Sequence, residues 1–298
     1  MFAPEPAREP AHTAARPLRY RRGASRAPGP RVRAAAHAVD RRVTWRSWLD
    51  ASPVAQVALA LMRDATGREE PLEPLIPARA AAVPSERGIA FWSLTAGVGV
   101  STVAALVAHR SAAAGRAPVL IDLDRRVPTL ALRAQCAGAT VADALLRPGS
   151  ESALLSRWGE VPFLPGTPEL HRVFDGARIA EVIVRLRRDR SIVLDLGCGA
   201  DALDTDVLGA VDRLCLVAGS SVAQLQSAFC AVPLLEGLGV WVGVVVVGAE
   251  PVDAARIASR LPWPLSGAIP RDQFLADDRF ATRAPTLRAV DALIRGLA

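Results

Sequence analysis

Apolar residues in this chain cluster in short, near-continuous runs set between polar, helix-like stretches. The runs around 88–94, 119–123, 191–197, 211–217, 240–247 and 265–270, with a further one ending at Phe163-Leu164, have the composition of strands buried on both faces, as in a parallel sheet. The intervening stretches carry the longer period. Residues 101–114 read as a helix stopped by Gly115, residues 140–147 as a short capped helix, and residues 177–188 as a helix with Ile179, Val182, Ile183 and Leu186 inward. At the end of the chain Leu287, Val290, Leu293, Ile294 and Leu297 share one helical face. Strands alternating with helices predict a three-layer α/β/α domain around a mostly parallel sheet, over residues 87–298.

The preceding residues follow a different pattern. Residues 1–42 are rich in Pro, Ala and Arg without a sustained apolar period, which predicts a disordered tail. Residues 43–65 place Val54, Val57, Ala58, Leu61 and Met62 on one face behind Ser52-Pro53, a short amphipathic helix expected to pack on the domain. Pro71, Pro74, Pro77 and Pro84 mark residues 66–86 as a linker.

Charge sharpens that division. The net charge is +6, yet residues 1–50 hold 11 arginines and only four acidic residues, so the excess belongs to the tail and the rest is close to balanced. A basic tail suits weak contact with nucleic acid or an anionic membrane, whereas the domain lacks the footprint of a nucleic-acid-binding surface. No apolar stretch is long enough to span a bilayer and no leader-like apolar segment opens the chain, so a cytoplasmic protein is expected. The four cysteines, Cys136, Cys198, Cys215 and Cys230, lack metal-site spacing and read as buried free thiols.

The first strand-loop-helix-strand unit carries the candidate chemistry. Its loop is Thr95-Ala96-Gly97-Val98-Gly99-Val100-Ser101-Thr102. Two glycines let the backbone turn its N–H groups inward, and a hydroxyl pair opens a helix whose N-terminus favours an anion. The second apolar run ends in Asp122 and Asp124, and the run at 191–197 carries Asp195. A dinucleotide site is the structural rival, since Asp122 follows Gly99 by 23 residues, but its third glycine position is Thr102.

These motifs, in this order, resemble the deviant Walker A ATPases of the ParA/MinD family, with a degenerate P-loop. That family's loop reads Lys-Gly-Gly-x-Gly-Lys-Thr/Ser-Thr/Ser, and Thr95 and Val100 stand where its two lysines would be. The chain contains no lysine at all, so all 36 of its basic residues are arginine. The resemblance implies a P-loop NTPase-like fold in which Gly97, Val98, Gly99, Val100, Ser101 and Thr102 hold phosphates. It also implies that Ser101, Asp122 and Asp195 organise Mg²⁺, and that Asp124 assists water attack. Arg125 and Arg126 are the cations nearest to those acids in sequence. Relatives usually read adenine with an Asn just after the strand at 240–247, where this chain has Gly248-Ala249-Glu250.

Charge-assisted contacts to phosphate contribute about 1.5–3 kcal/mol each, so loss of both loop lysines predicts weak binding of ATP and Mg²⁺ and little or no turnover. The Leu164-Pro165-Gly166 segment resembles the CpaE/septum-site-determining branch. The expectation is a homodimeric spatial-positioning or assembly factor, partnered with pilus, septum or partition machinery and able to sit peripherally at the membrane. The alternative is an active ATP-dependent switch in cell division or chromosome partitioning.

Overall fold

A computed structural model describes residues 80–276 and 283–298. The expected tail, the amphipathic helix at 43–65 and most of the linker lie outside the described residues.

The strands are β1 (Gly88–Ser93), β2 (Val119–Asp122), β3 (Ser156–Trp158), β4 (Val161–Leu164), β5 (Ile192–Cys198), β6 (Arg213–Gly219), β7 (Trp241–Val247) and β8 (Leu265–Ile269). The main helices are α1 (Val100–Ala113), α2 (Val141–Leu146), α3 (Gly176–Arg187), α4 (Val222–Leu235), α5 (Pro251–Ala258) and α6 (Ala284–Leu297). They build one eight-stranded sheet in the order β3-β4-β2-β5-β1-β6-β7-β8. All neighbours are parallel except the edge pair β3-β4, which is antiparallel.

The strand pleat explains why the apolar runs are continuous. Ile89 and Phe91 of β1 enter the core shared with α1 and α6, while Ala90 and Trp92 enter the opposite core beneath α2, α3, α4 and α5. All four are fully enclosed, so both faces of the strand must be apolar. Helix α3 buries Ile179, Val182, Ile183 and Leu186, the face its period predicts. In α6, Val290, Leu293, Ile294 and Leu297 are buried against the sheet and α1. That apolar face is used up inside the fold and is not offered to a membrane.

The domain begins earlier than residue 87. Val83 is buried, its N–H donates to Ser111 Oγ at 3.1 Å, and the N–H of Ala81 donates to Asp291 Oδ1 at 2.9 Å. The end of the expected linker is therefore strapped across α1 and α6. The cysteines are all free, but only Cys215 is buried; Cys136 and Cys198 are half-buried and Cys230 is exposed.

The connection from β1 runs past β5 to β2 on one side, whereas the connection from β5 crosses β1 to reach β6 on the other. The carboxyl ends of β1 and β5 therefore border a topological switch point, the usual place for a ligand in an open α/β sheet.

Candidate functional site

The loop after β1 closes around that switch point. Gly97 and Gly99 have φ of 78° and 98°, left-handed values that favour glycine. A side chain at Gly97 would meet no atom within 4 Å, so backbone conformation and not crowding calls for glycine there. Gly99 caps α1 without any side-chain hydrogen bond, and the first turn of α1 contains no acidic residue. The opening N–H groups of the helix thus keep their affinity for an anion.

A cavity of about 440 Å³ lies over the loop, bordered by Thr95, Gly97, Ser101, Thr102, Asp124 and Arg133 among others. Gly99 and Val100 also reach its wall. Val98 does not: it is buried in the core against α1, so its expected part in phosphate holding is limited to its backbone. Val100 is 6% exposed and packs in the same core while closing the cavity floor.

The three acids have separate circumstances. Asp122 is fully enclosed, and its carboxylate accepts the N–H of Asp124 at 3.1 Å and of Leu130 at 3.3 Å. Burial, with the nearby Asp195 charge, pushes it well above the usual carboxylate range. The side chain shapes the turn after β2 and, like that of Asp195, is not among the residues bordering the cavity. Asp124 does border the cavity, held by the N–H groups of Arg126 at 2.8 Å and Val127 at 3.1 Å. Gly197 fixes its position, because a Cβ there would stand 2.3 Å from Asp124 Cγ.

Asp195 lies beside Asp122 in the β2-β5 register. Its Oδ1 accepts the N–H of Gly197 at 2.9 Å, whereas Oδ2 is buried without a hydrogen-bond partner. Burial pushes its pKa up to about 6, although the adjacent Ser101 hydroxyl and the Gly197 N–H favour the charged form. A buried acceptor left open behind a helix-opening hydroxyl fits a hydrated Mg²⁺, which binds through one or two protein oxygens, water and substrate phosphates. Among the described residues, no three His, Cys, Asp or Glu side chains are grouped to hold a metal by themselves.

The arginines next to Asp124 are committed elsewhere. Arg125 lies 3.1 Å over the Phe174 ring and 3.8 Å from Asp204, and Arg126 is paired with Asp201 at 2.7 Å. Neither borders the cavity. The cation that does is Arg133, whose Nη1 donates to Thr102 Oγ1 at 3.1 Å. Nothing in Leu130-Ala131-Leu132-Arg133 marks it in the sequence, since it reaches the loop from 31 residues away.

A strand-ending glycine loop, a helix opened by hydroxyls and an acid on the neighbouring strand, all at one end of a parallel sheet, have the arrangement of a P-loop. The fold is that of the MinD and ParA ATPases. The septum site-determining protein MinD of Pyrococcus horikoshii, solved with Mg-ADP, superposes with a TM-score of 0.59 at 19% identity, covering 70% of this chain and 94% of that one. The cell division ATPase MinD of Pyrococcus furiosus gives 0.59 at 21% identity, over 71% and 98% of the two chains. A ParA family ATPase from Chlorobium tepidum gives 0.55 at 18% identity, over 70% and 92%. No protein-family model matches the chain, and no curated protein matches it either. At these identities the likeness carries the fold, and the chemistry has to be argued from this chain's own residues.

Proposed function

We propose that this chain is a degenerate ParA/MinD-like P-loop protein, a spatial-positioning or assembly factor of the pilus- or septum-placing type, in which ATP and Mg²⁺ bind weakly and turnover is lost. The observation that carries this reading is the floor of the cavity. The glycine turn and the uncapped helix start are kept, but the family's cation positions are Val100, packed into the core, and Thr95. Gly97, Gly99, Ser101 and Thr102 would hold a phosphate through main-chain N–H groups and hydroxyls, and Ser101 with Asp195 would hold the water shell of Mg²⁺. When bound, Mg²⁺ would supply charge neutralisation at the phosphates. Without a loop cation, the charge that grows during phosphoryl transfer loses a main source of stabilisation.

The proposal includes a homodimer closed over the nucleotide and a protein partner. A MinD of Aquifex aeolicus is found with MinC, and the same arrangement is proposed here as the class of interaction. Assignment to the CpaE-like branch rests on the Leu164-Pro165-Gly166 segment at the end of β4. The basic tail would add weak contact with nucleic acid or anionic membrane. One observation favours the alternative of an active cell-division or partition ATPase: Asp124 is held on the cavity wall by two N–H groups. Steady-state ATPase assays decide between them. The proposal expects a rate no higher than that of Asp124→Ala, and a clear rate that disappears in Asp124→Ala establishes the active switch.

A further inference from the structure

The loop brings no cation to the cavity, yet the cavity has one. Arg133 closes the helical turn Leu130–Arg133, which follows β2 and faces the loop from the other side. The turn is well anchored: Leu130 is fully buried, its N–H is held by Asp122 Oδ2 at 3.3 Å, and its carbonyl accepts the N–H of Ala134 at 2.8 Å. The half-buried guanidinium meets the Thr102 hydroxyl at the start of α1, and its charge is felt by Asp195 behind the loop.

We propose that Arg133 is the phosphate-gripping cation of this site, acting from the wall opposite the loop in place of a loop lysine. The ligand class is a di- or triphosphate chain, as carried by a nucleotide. The proposal rests on the reading of the cavity as a phosphate site and specifies how that site holds charge. A guanidinium presents a planar fork of N–H donors that matches a phosphate's oxygens, and a bound phosphate at the uncapped start of α1 would lie between that fork and the main-chain N–H groups. Asp122 has a defined task in this arrangement. By tying Leu130 to the end of β2, it sets both the turn that bears Arg133 and, through the N–H of Asp124, the start of the segment bearing the cavity's acid.

The test is calorimetric titration of the full chain with Mg-ATP and, separately, with inorganic tripolyphosphate, comparing wild type, Arg133→Gln and Arg133→Lys, with thermal unfolding as a check of folding. Arg133→Gln is expected to raise Kd for both ligands by about tenfold to a hundredfold, the value of a charge-assisted phosphate contact. Arg133→Lys, which keeps the charge and loses the fork, should fall between wild type and Arg133→Gln. Should Arg133→Gln not fold, a Kd for Arg133→Lys equal to that of wild type overturns the proposal. Unchanged affinity in a folded Arg133→Gln also overturns it, as does failure of the wild type to bind either ligand. Tighter binding by Arg133→Gln overturns it too and makes the guanidinium a plug. An Asp124-dependent ATPase rate would end the reading of a silent enzyme without touching the Arg133 result, and an unchanged Kd would end the Arg133 assignment without touching turnover.

Discussion

Helix α1 has a carboxylate near each end, and the two are treated oppositely. Near its C-terminus, Arg110 grips Asp291 of α6 with two bonds of 2.7 Å, and the N–H of Ala81 adds a third at 2.9 Å. Burial alone would raise the Asp291 pKa, but the hydrogen bonds and charge of Arg110 and the Ala81 N–H more than offset it and hold the group below its ordinary value. Near its N-terminus, burial pushes Asp195 up to about 6 and outweighs the help of the Ser101 hydroxyl and the Gly197 N–H, while Oδ2 makes no hydrogen bond within ordinary geometry. Buried polar groups are ordinarily satisfied, so a saturated acid belongs to the scaffold, whereas an acid left short calls for a separate explanation. One helix thus has a saturated acid at one end and, at the other, a buried acid that its surroundings only partly satisfy.

The largest expected effect is at the saturated end. Asp291→Ala leaves Arg110, whose side chain is 16% exposed, without its carboxylate, and also frees the strap at Ala81. Breaking a buried pair by removing one partner costs about 3–5 kcal/mol, read as a lower midpoint in urea unfolding. Because Asp291 is held below its unfolded value, its contribution is complete at neutral pH and lost as pH falls through the folded pKa, below about 4. A loss under 1 kcal/mol would mean that α6 and the strap hold without the pair.

The opposite sign is expected at the open end. The folded pKa of Asp195 lies above its unfolded value, so its cost to the ligand-free fold is absent at acid pH and grows as pH rises from about 4 to about 6. Asp195→Asn removes that cost, and should stabilise the protein by about 1–3 kcal/mol at pH 8 and by little at pH 4, measured as thermal midpoints at both values. Destabilisation at pH 8 would show that the carboxylate is structurally satisfied after all, and the contrast between the two ends would fail.

The sequence reveals these two ends unequally. The strands were legible because a sheet covered on both faces requires continuous apolar runs, and α3 and α6 because each buries a single stripe. Helix α4 was not. It is apolar almost all round, burying Ala228, Ala231 and Leu235 while exposing Val222 and Phe229, and it contains Pro233, so no stripe stands out. Strand β3, three residues long, is too short for a pattern, so its antiparallel pairing with β4 was not visible either. In the site, glycines, hydroxyls and strand-end acids were visible as types. Which acid accepts local N–H groups and which arginine crosses to the loop depend on the turn after β2, which no local pattern in the sequence encodes.

The smallest expected effect is the sharpest probe of the open end, because it restores what the loop lacks. Val100 lines the cavity floor with its backbone opening α1, so in Val100→Lys the aliphatic stem can follow the valine's path through the core and the ammonium can emerge at the cavity. Some stability is lost, since a residue 6% exposed now carries a charge. Affinity for Mg-ATP should nevertheless improve about tenfold, the lower range of a charge-assisted contact, measured by calorimetry against wild type. The gain should be larger in an Arg133→Gln background, where the new lysine replaces a missing grip, than in the wild type, where two cations share one phosphate chain and repel each other. Equal gains in the two backgrounds would mean that the residues act at separate places. No gain in either would mean that the main-chain N–H groups at the start of α1 do not face a phosphate, and the open end of the helix would then be a defect of packing and not a binding site.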